Sequence, residues 1–124
     1  MLGSSKLVAF VGTADAKRAR AFYADVLGLR LVSEDDFALV FDAGGTPLRV
    51  AIVPEVAAAP YTVLGWRVDD IAGVVKVLTV RGASFQRYDG MDQDPAGIWT
   101  SPGGARVAWF KDPDGNVLSL TQFA

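Results

Sequence analysis

Apolar and polar positions alternate most clearly from Ala105 to Gln122 (ARVAWFKDPDGNVLSLTQ), where two runs of β-branched, aromatic and apolar residues flank Asp112-Pro113-Asp114-Gly115. Proline presets φ at the second turn position and glycine accepts the exit geometry at the fourth, so the stretch predicts a β-hairpin. A period of two sends Val107, Trp109 and Lys111 to one face and Arg106, Ala108 and Phe110 to the other. On the returning strand Val117, Ser119 and Thr121 oppose Leu118, Leu120 and Gln122. One face of such a pair can close a core while the other lines a cavity. Asp112, Asp114 and Asn116 also stand at the first, third and fifth places of a calcium-binding loop. That loop requires Gly at its sixth place and Glu at its twelfth, where this chain has Val117 and Phe123, so the turn reading is kept.

From the start of the chain, 1–5 reads as a disordered lead and Lys6 to Gly12 as a strand. Asp15 then supplies an N-cap for a helix whose apolar stripe is Ala19, Phe22, Tyr23, Val26 and Leu27, and Gly28 stops it. Leu29 to Ser33 and Phe37 to Asp42 predict strands around an acidic turn at Glu34, Asp35 and Asp36. Gly44-Gly45-Thr46-Pro47 turns the chain into a further strand at Leu48 to Val53. Pro54 to Pro60, with three consecutive alanines, reads as a linker. Beyond it come a strand at Tyr61 to Val68, caps at Asp69 and Asp70, a helix at Ile71 to Arg81 and Gly82 as its stop. Val74, Val75, Val77 and Val80 weaken helix propensity there, and the cap and glycine decide for the helix. Short strands near Ser84 to Arg87 and Gly97 to Thr100 precede the closing hairpin.

Both halves thus read β-α-β-β-β, and they run in phase: the caps Asp15 and Asp70 differ by 70 − 15 = 55 positions, as Val8 and Val63 do. Such a period marks a tandem module. One helix covers only one face of a four-stranded sheet, which predicts two modules, 6–53 and 61–122, sharing a continuous sheet in a single domain from 6 to 124.

Composition narrows the chemistry. A chain of 124 residues with a formal charge of −2 has no basic footprint for nucleic acid. With no Cys there is no disulfide, thiol nucleophile or thiolate metal site. No long apolar span suggests a membrane segment, so a cytoplasmic protein is the expectation. Neither a G-x-S-x-G elbow nor a phosphate-binding G-x-x-x-x-G-K occurs, and no residue is assigned as catalytic.

Three strings, Ala21-Phe22-Tyr23-Ala24-Asp25-Val26-Leu27-Gly28-Leu29, Arg67-Val68-Asp69-Asp70-Ile71 and Phe110-Lys111-Asp112-Pro113-Asp114-Gly115-Asn116, resemble the vicinal oxygen chelate superfamily of glyoxalase I, bleomycin-resistance proteins, extradiol dioxygenases and fosfomycin-resistance proteins. The resemblance runs from about Lys6 to Gln122. It implies an α+β fold of two tandem βαβββ modules forming a cupped mixed β-sheet half-barrel with helices outside. In catalytic relatives a divalent metal sits in the cup, held by His, Glu or Gln on the first and last strand of each module. Counting from the strings places three of those positions at Val8, Val63 and Ser119, and the fourth within Leu48 to Val53, which contains no acid, amide or His. His is absent altogether and the only glutamates are Glu34 and Glu55. A transition-metal site needs about three N, S or carboxylate ligands. No metal and no cofactor are therefore expected.

A binding cavity fits better. If the cup faces carry Val8, Phe10 and Gly12, then Val63, Gly65 and Arg67, then Val117, Ser119 and Thr121, the lining is apolar with a few polar groups to orient a ligand. Arg67 suits a ligand carboxylate or phosphate, or pairs with Asp69 or Asp70. The segment Tyr88 to Trp99 reads as a loop over the cup, with Tyr88 and Trp99 to stack on a ring and Asp89, Asp92 and Asp94 to attract a cation or merely to be solvated. Trp66 and Trp109 read as packing residues. The expectation is a metal-independent small-molecule binding protein, with Phe10, Arg67, Tyr88, Trp99 and Ser119 at its site and a homodimer as its assembly. The alternatives are a divergent lyase, isomerase or dioxygenase-like enzyme, and an interaction domain with a vestigial cup.

Overall fold

The computed structural model describes residues 1–124 and divides them into two compact units, Met1–Ala57 and Ala58–Ala124, with the division inside the alanine-rich linker. Leu2–Ser4 form an exposed 3₁₀ turn. The first unit then holds strand β1 (Ala9–Thr13), helix α1 (Ala16–Arg20), and strands β2 (Arg30–Glu34), β3 (Ala38–Ala43) and β4 (Thr46–Ile52). The second holds β5 (Thr62–Arg67), helix α2 (Ile71–Val80), β6 (Trp99–Thr100), β7 (Arg106–Lys111) and β8 (Val117–Gln122). Each is a βαβββ module of α+β class with a four-stranded mixed sheet, in the order β1-β4-β3-β2 and β5-β8-β7-β6, the first two strands of each order being parallel.

The first helix starts where the sequence puts it, because the Asp15 carboxylate accepts the Arg18 N–H at 3.1 Å. It does not stay α-helical. From Ala21 to Val26 the turn widens to π-helical form, and the Leu27 N–H donates to the Phe22 carbonyl at 3.0 Å. Phe22 and Tyr23, neighbours in sequence, are both buried there in edge-to-face contact at 5.2 Å, and Tyr23 meets Phe41 of β3 at 5.8 Å. Phe41, Leu39, Leu48, Val50 and Val11 form the helix-facing side of the first sheet.

In the second unit Asp70 caps α2 by accepting the Gly73 N–H, and the Gln122 side chain accepts the Ile71 N–H at 2.9 Å, tying β8 to the helix start. Ile71, Val75 and Leu78 pack onto Ala108, Phe110, Leu118 and Leu120, so burial of that stripe supports the helix although Val77 and Val80 stay exposed. The Asp112–Gly115 turn closes as expected. Gly115 has φ +86°, and its N–H donates to the Asp112 carbonyl at 3.0 Å. The Asp112 carboxylate accepts from the Asp114 and Asn116 backbones at 3.0 and 2.9 Å and from the Asn116 side chain at 2.8 Å.

Several expectations shift. Strand β1 begins at Ala9, leaving Lys6 to Val8 outside, and runs on to Thr13, which is fully buried. Glu34 belongs to β2 rather than to the turn and pairs with Arg20 at 2.9 Å. Phe37 lies in the turn and is exposed. Ser84 to Arg87 forms no strand, only an isolated bridge from Phe85 to Phe110, and the strand expected over Gly97 to Thr100 shrinks to Trp99–Thr100. Between them the backbone is held by side chains instead, which removes the donors and acceptors a ladder would need.

Candidate functional site

Each sheet has one face under its helix and one face away from it. On the second sheet the register aligns Gly65 with Ser119 and Ser119 with Trp109, while Thr121 aligns with Arg67 and Val107, and Val107 with Trp99. These residues alternate with the buried Leu118, Leu120, Ala108 and Phe110, so they populate the open face. Trp109 is its centre. The Tyr88 ring meets it edge-on at 5.6 Å and 87°, and Trp99 lies tilted against it at 6.2 Å. Three half-exposed aromatic rings therefore form one cluster, a surface suited to stacking a flat ligand. Trp66 points the other way and stacks on the buried Phe110 at 6.4 Å. Both tryptophans read as packing residues are half-buried, Trp66 against a core ring and Trp109 within the aromatic cluster of the open face.

Ser119 is 7% exposed, its hydroxyl has no hydrogen-bond partner, and no wholly buried polar atom in the chain lacks one. A Cβ at residue 65 would stand 2.9 Å from that hydroxyl oxygen, so glycine there keeps room above it. Beside the aromatic cluster, a hollow of about 340 Å³ is lined by Ala58, Ala59, Pro60, Tyr88, Lys111, Gly115 and Val117. Arg67 pairs with neither Asp69 nor Asp70; its guanidinium lies over the Phe123 ring at 5.5 Å. Phe10 is exposed on the open face of the first sheet. Val63 is the extra residue of a β-bulge between Thr62 and Leu64, so simple alternation does not place it.

The loop that carries Tyr88 is rigidly tied. Gln93 is its hub: its side-chain amide donates to the Gln86 and Gly97 carbonyls at 2.9 and 2.8 Å, and its Oε1 accepts the Tyr88 N–H at 2.7 Å. The Arg87 guanidinium donates to the Gln93, Asp94 and Pro95 carbonyls. Asp94 accepts the Ala96 and Ile98 N–H groups, both at 2.9 Å, which gives it a structural role rather than a cation-binding one. Asp89 and Asp92 remain exposed.

The metal places fit no metal. Phe10 stands 65 − 10 = 55 positions before Gly65 and is in register with Arg49, as Gly65 is with Ser119. The repeat thus resolves the fourth place as Arg49. Val8, Arg49, Val63 and Ser119 offer no imidazole, thiolate or carboxylate, and nowhere do three His, Cys, Asp or Glu side chains gather.

A sequence model of the Glyoxalase/Bleomycin resistance protein/Dioxygenase superfamily matches residues 7–120, and the chain belongs to that superfamily. Among solved structures it is similar to a glyoxalase family protein from Enterococcus faecalis (20% identity, 98% of this chain and 100% of that one, TM-score 0.76). It is likewise similar to TioX from Micromonospora sp. ML1 (20%, 98% and 100%, TM-score 0.74). Lactoylglutathione lyase from Agrobacterium tumefaciens also matches (19%, 96% and 93%, TM-score 0.69). At these identities the likeness is one of fold. No curated protein matches the chain.

Proposed function

We propose that this chain is a metal-independent small-molecule binding protein whose ligand stacks on the open face of the second sheet. The observation that carries the reading is the Tyr88–Trp109–Trp99 cluster, left uncovered by the helix and set beside the unpartnered Ser119 hydroxyl. Aromatic faces supply apolar area at little entropy cost, and a single hydroxyl fixes orientation. The donor chemistry at Val8, Arg49, Val63 and Ser119 supports doing this without a metal. We extend the proposal to a homodimer in the cytoplasm. Exposed Val32 and Phe37 give a second copy apolar surface to cover, and no helix is long and apolar enough to cross a membrane.

The test is a screen of planar aromatic compounds by tryptophan fluorescence, paired with elemental analysis of protein purified without chelator. Trp109→Ala is expected to weaken any hit about tenfold, the loss of roughly 1.4 kcal/mol of ring contact. One stoichiometric transition metal per chain would overturn the reading in favour of a divergent lyase, isomerase or dioxygenase-like enzyme. Hits unaffected by Trp109→Ala would move the ligand off this face.

A further inference from the structure

The middle of the first sheet's open face is a cation. Arg49 lies on β4, which is flanked on both sides, with Phe10 of β1 and Val40 of β3 as its register partners. Its chain neighbours Leu48 and Val50 are fully buried under the helix, so the Arg49 side chain leaves by the other face. It is half-buried and makes no hydrogen bond, and no carboxylate oxygen lies within 4.0 Å of its guanidinium.

The acids around it are occupied. Asp42 pairs with Arg30 at 3.9 Å and accepts the Gly45 N–H at 3.2 Å. Asp35, at the β2–β3 turn, accepts the Phe37 and Ala38 N–H groups, which hold its carboxyl below the usual range; Arg49 is the smallest of the influences on it. A half-buried guanidinium without a counter-ion forgoes part of its hydration and gains no pair in return, an arrangement that a bound anion would relieve.

The geometry points to Arg49 as an anion-recognising residue, and to the ligand as an organic carboxylate on a flat, apolar body. The guanidinium fork matches a carboxylate with two parallel N–H···O bonds, and the exposed Phe10 ring beside it offers apolar contact to the rest of the molecule. Arg49 is also the repeat equivalent of Ser119. One of the places at which metal-binding relatives set an electron-donating ligand against a cation therefore carries the cation itself. The charge preference of the site is reversed. This inference rests on the reading of the chain as a small-molecule binder and concerns the open face of the first unit's sheet by itself.

The experiment compares an acid with its isosteric amide, 2-naphthoate against 2-naphthamide, by calorimetry on the wild-type chain, Arg49→Met, Arg49→Lys and, as a control, Arg81→Met at the exposed end of α2. Wild type is expected to prefer the acid about tenfold. Arg49→Met should bring the two to equal affinity with the amide unchanged, Arg49→Lys should keep part of the preference, and Arg81→Met should keep all of it. Equal binding of acid and amide by wild type would refute the inference and leave the binding reading standing. So would a preference that survives in Arg49→Met or vanishes in Arg81→Met. Failure of wild type to bind either compound would count against both.

Discussion

Trp109 and Phe110 are neighbours on β7 that face opposite ways, and truncating each in turn reveals which face of the second sheet is core. Phe110 has no exposed surface; it stacks on Trp66 at 6.4 Å, meets Phe85 at 5.3 Å and has Leu118 across the ladder. Phe110→Ala withdraws roughly 150 Å² of apolar contact. At about 25 cal/mol per Å² this amounts to about 4 kcal/mol, in line with the roughly 3–5 kcal/mol typical of buried Phe→Ala changes. Trp109 keeps part of its ring in solvent and borders no core layer on that side, so Trp109→Ala should cost less despite the larger ring. Domains of this kind hold only about 5–15 kcal/mol in total, so a loss of about 4 kcal/mol takes a large share of the margin. Urea denaturation followed by far-ultraviolet circular dichroism measures both. A loss below about 1 kcal/mol for Phe110→Ala, or a greater loss for Trp109→Ala, would mean that the strand faces the other way.

Two further expectations concern single carboxylates. Asp112→Ala should destabilise the closing hairpin by about 2–3 kcal/mol, because it removes the acceptor of the Asp114 and Asn116 N–H groups and of the Asn116 amide in a nearly buried turn; an unchanged urea midpoint would refute the hub role. Asp35 has its carboxyl held below 3.8, first by the Phe37 N–H and then by that of Ala38. A depressed folded value stabilises above the unfolded one, so the difference between wild type and Asp35→Ala should be constant above about pH 5 and shrink as pH falls through the folded value. An Asp35 titration midpoint at or above 3.8 by NMR would contradict this.

The sequence makes legible what local chemistry determines. Asp15 and Asp70 cap as expected because a carboxylate needs only the N–H three residues on, and Asp112 to Gly115 turns because proline and glycine carry their φ preferences with them. Two of the three family strings contain those same features, Asp70 and the Asp112–Gly115 turn. What depends on distant partners does not show. Gln93 holds the Tyr88 loop through three bonds, yet no periodicity marks an isolated amide as a hub. The bulge at Val63 breaks the alternation that assigned its face. Arg49 sits in an otherwise apolar strand, and only the register with Phe10 shows that it repeats Ser119. Trp109 reads like Trp66 in sequence, and the sheet face alone separates them.

The widened turn in the first helix records something about how the two modules came to differ. From the cap at Asp15 to the glycine at Gly28 is 28 − 15 = 13 positions, whereas from Asp70 to Gly82 is 82 − 70 = 12. Both glycines have positive φ, at 75° and 108°, and both aspartates cap in the same way. The one surplus residue is absorbed where the Phe22 carbonyl reaches on to Leu27 instead of stopping one residue short. If the modules descend from one duplicated ancestor, an insertion or deletion in one copy was accommodated as a local loosening of pitch, with the capping aspartate and the closing glycine keeping their roles. A chain can in this way take up a change in length inside a helix while the residues that start and stop it keep their conformations.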